Sequence, residues 1–120
     1  MNSFFLLILL TQNAAGNVSA SFVETASREQ CEVKQKVVEG IFSTARVKIL
    51  ESHCVPGRYR FSEFGHATSS ATRRHFYWID FDATPVEITG ASDWRSCMER
   101  EAEIDRAGFY CASSIQQQLD

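Results

Sequence analysis

The sequence predicts a small α+β domain: an antiparallel sheet of about three to five strands, packed by a C-terminal helix and stapled by two disulfides. Three observations predict it. Arg73-Arg74-His75-Phe76-Tyr77-Trp78-Ile79-Asp80-Phe81-Asp82 packs aromatic and β-branched side chains at a density that favours a pleated strand. Ser92 to Gly108 carries helical spacing behind a capping residue. Four cysteines, Cys31, Cys54, Cys97 and Cys111, follow an apolar N-terminal run.

Residues 1–20 carry no charged side chain, and Phe4 to Leu10 is unbroken apolar sequence followed by Thr11-Gln12-Asn13. Seven residues fall well short of the roughly 20 that a bilayer crossing needs. An apolar run followed by polar and small residues has the form of a secretory signal peptide, with cleavage after Gly16 or Ala20. Its weak point is Met1-Asn2-Ser3, which lacks a basic side chain. The alternative is a buried N-terminal strand of a cytosolic protein. The expected division is a signal peptide over 1–20, one domain over 21–112 and a frayed tail over 113–120. The expected location is secreted or periplasmic, with no stable membrane anchor once the signal is removed.

An even number of cysteines in an exported chain reads as two disulfides, and four cysteines allow three pairings. No spacing is C-x₂-C, so zinc is disfavoured. Ser27-Arg28-Glu29-Gln30 matches a capping box. Cys31 to Leu50 is ambiguous: Val33, Val37, Val38, Ile41 and Phe42 share a helical face, while Ala45, Val47 and Ile49 alternate as in a strand. The β-branched content and Gly40 predict a break near Gly40 and a strand from about Thr44 to His53. A continuous helix from Cys31 to Cys54 would hold the two about 34 Å apart and forbid their bonding.

Val55-Pro56-Gly57 signals a turn. Arg58-Tyr59-Arg60-Phe61-Ser62 alternates as a half-exposed strand, and Gly65 to Thr72 reads as a loop. The aromatic run then forms the central strand, covered on both sides. After the turn at Asp82-Ala83-Thr84-Pro85, Val86 to Thr89 makes a short strand, completing a meander of about three or four strands. Ser92 is the expected cap of the last helix, Arg95–Glu99 a surface pair and Gly108 its terminator. No internal repeat is visible.

The net charge of −3 conceals a split: nine basic and five acidic residues from Arg28 to Arg74, three basic and nine acidic from His75 to Asp120. No concentrated basic patch exists, so the composition disfavours nucleic acid and favours a charged protein partner. Among His53, His66 and His75, the last lies opposite Asp80 and Asp82 on a strand, so these three do not converge. No G-x-S-x-G surrounds Ser69 or Ser70, and no phosphate loop, H-E-x-x-H or EF-hand is present, so neither cofactor nor metal is expected. Asn17-Val18-Ser19 is formally an N-glycosylation acceptor.

The remaining feature is an arginine-bordered aromatic edge: Arg58, Tyr59, Arg60, Phe61, Arg73, Arg74, Phe76 and Trp78. Tyr, Trp and Arg dominate interface energetics. The sequence therefore points to a non-enzymatic exported protein that binds another protein, of inhibitor, immunity or effector type. A carrier of a small apolar ligand held between the helix and the aromatic sheet face, in a pocket lined by Trp78 and Trp94, is the second reading, and a small secreted enzyme the third.

Overall fold

The apolar run near the N-terminus forms a strand. β1 (Phe5–Gln12) and β2 (Val18–Thr25) make a hairpin, α1 (Arg28–Thr44) follows, and β3 (Lys48–Pro56) returns to the other side of β1. After β4 (Arg60–Phe61), the hairpin of β5 (His75–Asp80) and β6 (Glu87–Ala91) leads into α2 (Trp94–Ile104). β7 (Phe109–Ser114) then pairs with β5, and β8 (Gln118–Leu119) with β4. This computed structural model describes residues 3–62 and 73–119. The expected loop Gly65–Thr72, with His66, Ser69 and Ser70, lies outside them.

The α+β class and the two disulfides stand, but the sheet is larger than expected. It has six strands in the order β3-β1-β2-β7-β5-β6, and its β2–β7 pairing is parallel. Among the described residues there are two helices, and α2 is followed by two strands, so it is not the C-terminal element. The expected meander reduces to the β5–β6 hairpin, because β3 crosses back to β1. The most enclosed strand is β1, not the aromatic β5. Leu6, Leu7, Ile8, Leu9 and Leu10 are all buried, alternately against the two faces. Residues 5–12 and 18–20, expected to be cleaved away, are thus built into the sheet. Residues 113–119, expected to fray, contain the end of β7, the buried Gln116 and β8.

The ambiguous segment resolves as a helix that does not break at Gly40. Ser27 caps it, its hydroxyl accepting from Gln30 N–H at 3.1 Å while the Gln30 side chain accepts from Ala26 N–H at 2.9 Å. Arg46, in the left-handed region (φ 60°), turns the chain into β3. That reversal brings Cys54 back over Cys31, and the pairs are Cys31–Cys54 and Cys97–Cys111. The second helix is capped by Asp93, one residue beyond the expected Ser92, and ends at Asp105 rather than Gly108.

A repeat invisible in the sequence organises the molecule. Residues 5–56 and 75–114 each run strand, strand, helix, strand, with the third strand beside the first. In each unit a cysteine in the fourth helical position bonds to the third strand, at Cys54 opposite Leu7 and at Cys111 opposite Trp78. The matched core pairs are Leu6 with Tyr77, Ile8 with Ile79 and Phe22 with Ile88, all buried. Few identities survive, because such positions ask only for an apolar side chain of adequate size.

The sheet curls into an incompletely closed barrel. Tyr110 of β7 donates to Glu51 of β3 at 2.7 Å, although two strands separate them in the sheet. One junction between units is the β2–β7 pairing, bridged at Ser19 and Ser113. Below it the Gln116 side chain takes the place of a strand: its amide accepts from Phe22 N–H at 2.8 Å and donates to Phe22 C=O at 2.7 Å. The matching junction would join β6 to β3, where the counterparts of Ser19 and Ser113 are Pro85 and Pro56, the only two prolines. Proline has no N–H to donate to a ladder. Among the described residues β3 and β6 accordingly remain edges, linked where Arg58, just after β3, donates to the C=O of Val86, just before β6, at 3.4 Å.

Candidate functional site

The eight residues expected to form one arginine–aromatic edge divide between the two faces of the sheet. Tyr59 and Phe61 pack on the barrel interior, where Phe61 stacks on Phe22 at 3.8 Å and meets Tyr77 edge-on. Arg60 is held by Glu24 at 2.8 and 2.9 Å and lies over the Phe4 ring. Arg58 lies over Tyr59. On the outer face, Phe76 rests against Trp94, and Trp78 lies under α2, donating its indole N–H to Cys97 C=O at 3.0 Å with Arg100 above the ring. Arg73 and Arg74 are exposed at the entry to β5. Trp78 and Trp94 line different depressions, so they do not enclose one ligand between them.

Asp80 and Asp82 are both engaged by Arg106, at 2.9 and 3.1 Å, so Asp80 forms the arginine ion pair expected of a surface carboxylate. The Arg106 hydrogen bonds hold Asp80 below the usual carboxylate range. His75 lies elsewhere. Among the described residues no group of three or more His, Cys, Asp or Glu side chains could hold a metal. No helix among them is long and apolar enough to cross a membrane.

Sequence reasoning missed a polar cluster at the barrel mouth, because its members lie on strands that meet only after the sheet curls. Glu51 receives Tyr110 O–H at 2.7 Å on one oxygen and meets His53 Nε2 at 2.7 Å on the other. Burial alone would raise the Glu51 pKa, but the bonds from His53 and Tyr110 outweigh it and hold it below the ordinary 4.5. Burial first, then the facing Glu51 carboxylate, push the Tyr110 phenol up to about 12. The folded state therefore favours the protonated phenol. That contribution is present below the ordinary value of 10 and lost as pH rises through about 12. In a phenolate-absorbance titration, one tyrosine should ionise near 12 and be missing in Tyr110→Phe. Glu51→Gln should bring that ionisation down; an unmoved curve in both variants would refute the pairing.

The second missed feature is on α1. Val33, Val37 and Ile41 lie one turn apart on one face and are 65%, 52% and 61% exposed. The two units supply an internal comparison: the positions of Val33 and Val37 are occupied in α2 by Glu99 and Glu103. This fold therefore accepts carboxylates where α1 carries valines. Lys34 and Lys36 flank the row beside Val37, and the exposed Glu29 and Glu32 lie at its N-terminal end around Val33. Glu39 is on the side turned toward β3, accepting from Ser52 O–H at 2.6 Å. A spacing signal existed in the sequence, but the same residues also fit a buried helical face, and only packing shows which face is covered.

The chain matches no protein-family model, no curated protein and no solved structure. What the fold and surface define is an α+β domain of two stapled units, one of whose helices carries an exposed apolar row.

Proposed function

We propose that this is a non-enzymatic binding module of an oxidising, extracytoplasmic compartment, and that it recognises another protein through α1 rather than through the arginine–aromatic edge. The observation that carries the reading is the exposed row Val33-Val37-Ile41, set against Glu99 and Glu103 at the matching positions of α2. Solvent-exposed apolar rows are costly to keep on a soluble surface, and contiguous ones mark contact sites. Spacing of one turn suits a partner helix laid along the row. Lys34 and Lys36 favour acidic residues on that helix where it passes Val37 and Ile41, while Glu29 and Glu32 restrict this preference to the C-terminal part of the row. The two disulfides are compatible with the location.

The test uses two synthetic amphipathic helices with the same apolar face, one flanked by Glu and the other by Lys. The acidic helix should bind at least tenfold more tightly, a difference of about 1.4 kcal/mol. Val33→Glu combined with Val37→Glu should abolish binding while changing stability by less than about 0.5 kcal/mol per site, as exposed substitutions do. Equal binding of both peptides, or binding unaffected by the double substitution, would exclude this surface. Self-association of the free protein through α1, seen by sedimentation and removed by the same variant, would identify a second copy as the occupant and overturn the acidic-helix assignment.

A further inference from the structure

We propose that a groove beside Trp94, separate from α1, is a binding site for a carbohydrate bearing a carboxylate. The groove opens on the outer surface where the two units meet and encloses about 400 Å³. That lies within the usual range for small-ligand sites. Its apolar wall is made by Trp94, 41% exposed, and Phe76, whose ring centroid lies 5.6 Å away at an interplanar angle of 52°. An exposed indole combines a broad apolar face with a polar N–H, which suits a ligand that is apolar on one face and hydroxylated at its rim.

Apart from Arg74, the rest of the lining is polar and uncharged. Asn13 and Asn17 come from the β1–β2 turn, and Ser113 from the end of β7. Asn13 uses its carbonyl oxygen to accept from Ala15 N–H at 3.0 Å and Asn17 N–H at 2.9 Å, which fixes the turn and leaves its amide N–H groups as donors. Ser113 donates to Val18 C=O at 3.4 Å, leaving its oxygen lone pairs to accept. Amide donors and hydroxyl acceptors together match the two-way hydrogen bonding of sugar hydroxyls. Among the described residues, Arg74 is the one charged side chain lining the groove, and no carboxylate lines it. A planar guanidinium there selects a carboxylate by a two-pronged, charge-assisted contact.

The first unit again provides a comparison. The counterparts of Phe76 and Trp94 are Phe5 and Arg28, with the Arg28 guanidinium 4.8 Å from the Phe5 ring. Covering this strand aromatic therefore requires a long side chain but not an indole. The tryptophan adds an exposed aromatic face that the fold does not need.

The experiment measures tryptophan fluorescence of the full chain against a uronic-acid disaccharide, the neutral disaccharide of the same linkage, and acetate. A printed panel of acidic and neutral oligosaccharides covers other linkages. Saturable quenching by the acidic sugar, at least tenfold weaker with the neutral sugar and absent with acetate, is expected. Trp94→Arg, which installs the first unit's own solution and keeps Phe76 covered, should abolish binding. Arg74→Gln should erase the preference for the acidic sugar while neutral-sugar binding persists. Silence across the panel, response to acetate alone, or binding retained in Trp94→Arg would overturn the assignment. Val33→Glu with Val37→Glu should leave it untouched, which separates this site from the α1 surface.

Discussion

A chain beginning at Ser21 is expected not to fold. Truncation there removes β1 and the first residues of β2, and with them the buried row Leu6, Leu7, Ile8, Leu9 and Leu10. Burying each such side chain contributes about 1.5–3 kcal/mol, so the row is worth on the order of 10 kcal/mol. That is comparable to the whole stability of a domain this size, about 5–15 kcal/mol. The geometric consequence is as severe, because β3 pairs with β1 alone and would be left without a neighbour. The Cys31–Cys54 bond would then staple α1 to an unpaired strand. Circular dichroism and amide-proton dispersion of the truncated chain decide the matter. A cooperative, native-like 21–120 fragment would refute the strand assignment and restore the signal-peptide reading of residues 1–20.

Gln116→Ala is expected to cost about 3–5 kcal/mol, a large effect for one polar residue near the chain terminus. Gln116 is 2% exposed. Its amide serves Phe22 N–H, Phe22 C=O and, at 2.8 Å, Ser62 C=O, while its own carbonyl receives Tyr77 O–H at 2.7 Å. Truncation leaves buried backbone groups unpaired, at about 1–3 kcal/mol each. The backbone carbonyl bond to Tyr77 survives the substitution, so the loss falls on the β2 edge and on the approach to β4. Gln116→Glu distinguishes hydrogen bonding from packing. Its carboxylate would face two carbonyl oxygens, and only the protonated acid can donate to one of them. The introduced group's pKa is therefore raised in the folded state, its contribution being present at low pH and lost as pH rises through that value. Urea midpoints should fall for both variants at neutral pH, and that of Gln116→Glu should recover in part toward low pH. Equal stability of wild type and Gln116→Ala would show that the amide is dispensable.

Both effects arise at places where the chain reads ambiguously. Phe4 to Leu10 lacks alternation because both faces of β1 are covered, by the barrel interior and by α1. An apolar run without period is equally the core of a signal peptide. Gln116 reads as part of a polar tail because its partners Phe22 and Ser62 are 94 and 54 residues away. The residues of the arginine–aromatic edge lie on different faces, and here strand alternation correctly separates Tyr77 from Phe76 and Trp78. The same alternation separates Tyr59 and Phe61 from Arg58 and Arg60, but it does not say that the face carrying the two aromatics stacks on Phe22 and Tyr77 inside the barrel.

The sequence by itself determined the local decisions: the Ser27 capping box, the aromatic strand, the β5–β6 turn, the second helix and the even set of cysteines that all bond. All but the cysteines depend on residues within a few positions of one another, where backbone sterics and capping act; the cysteines, 23 and 14 residues apart in their pairs, were legible only as an even count. Tertiary structure alone decided the cysteine pairing, the placing of β1 in the sheet between β2 and β3, the repeat of two units and the open β3–β6 edge. Those depend on which faces meet after the sheet curls, and two prolines far apart in the chain matter there only because folding makes them counterparts. The exposed row on α1 belongs to the same class, since an apolar face becomes a surface only when nothing in the fold covers it.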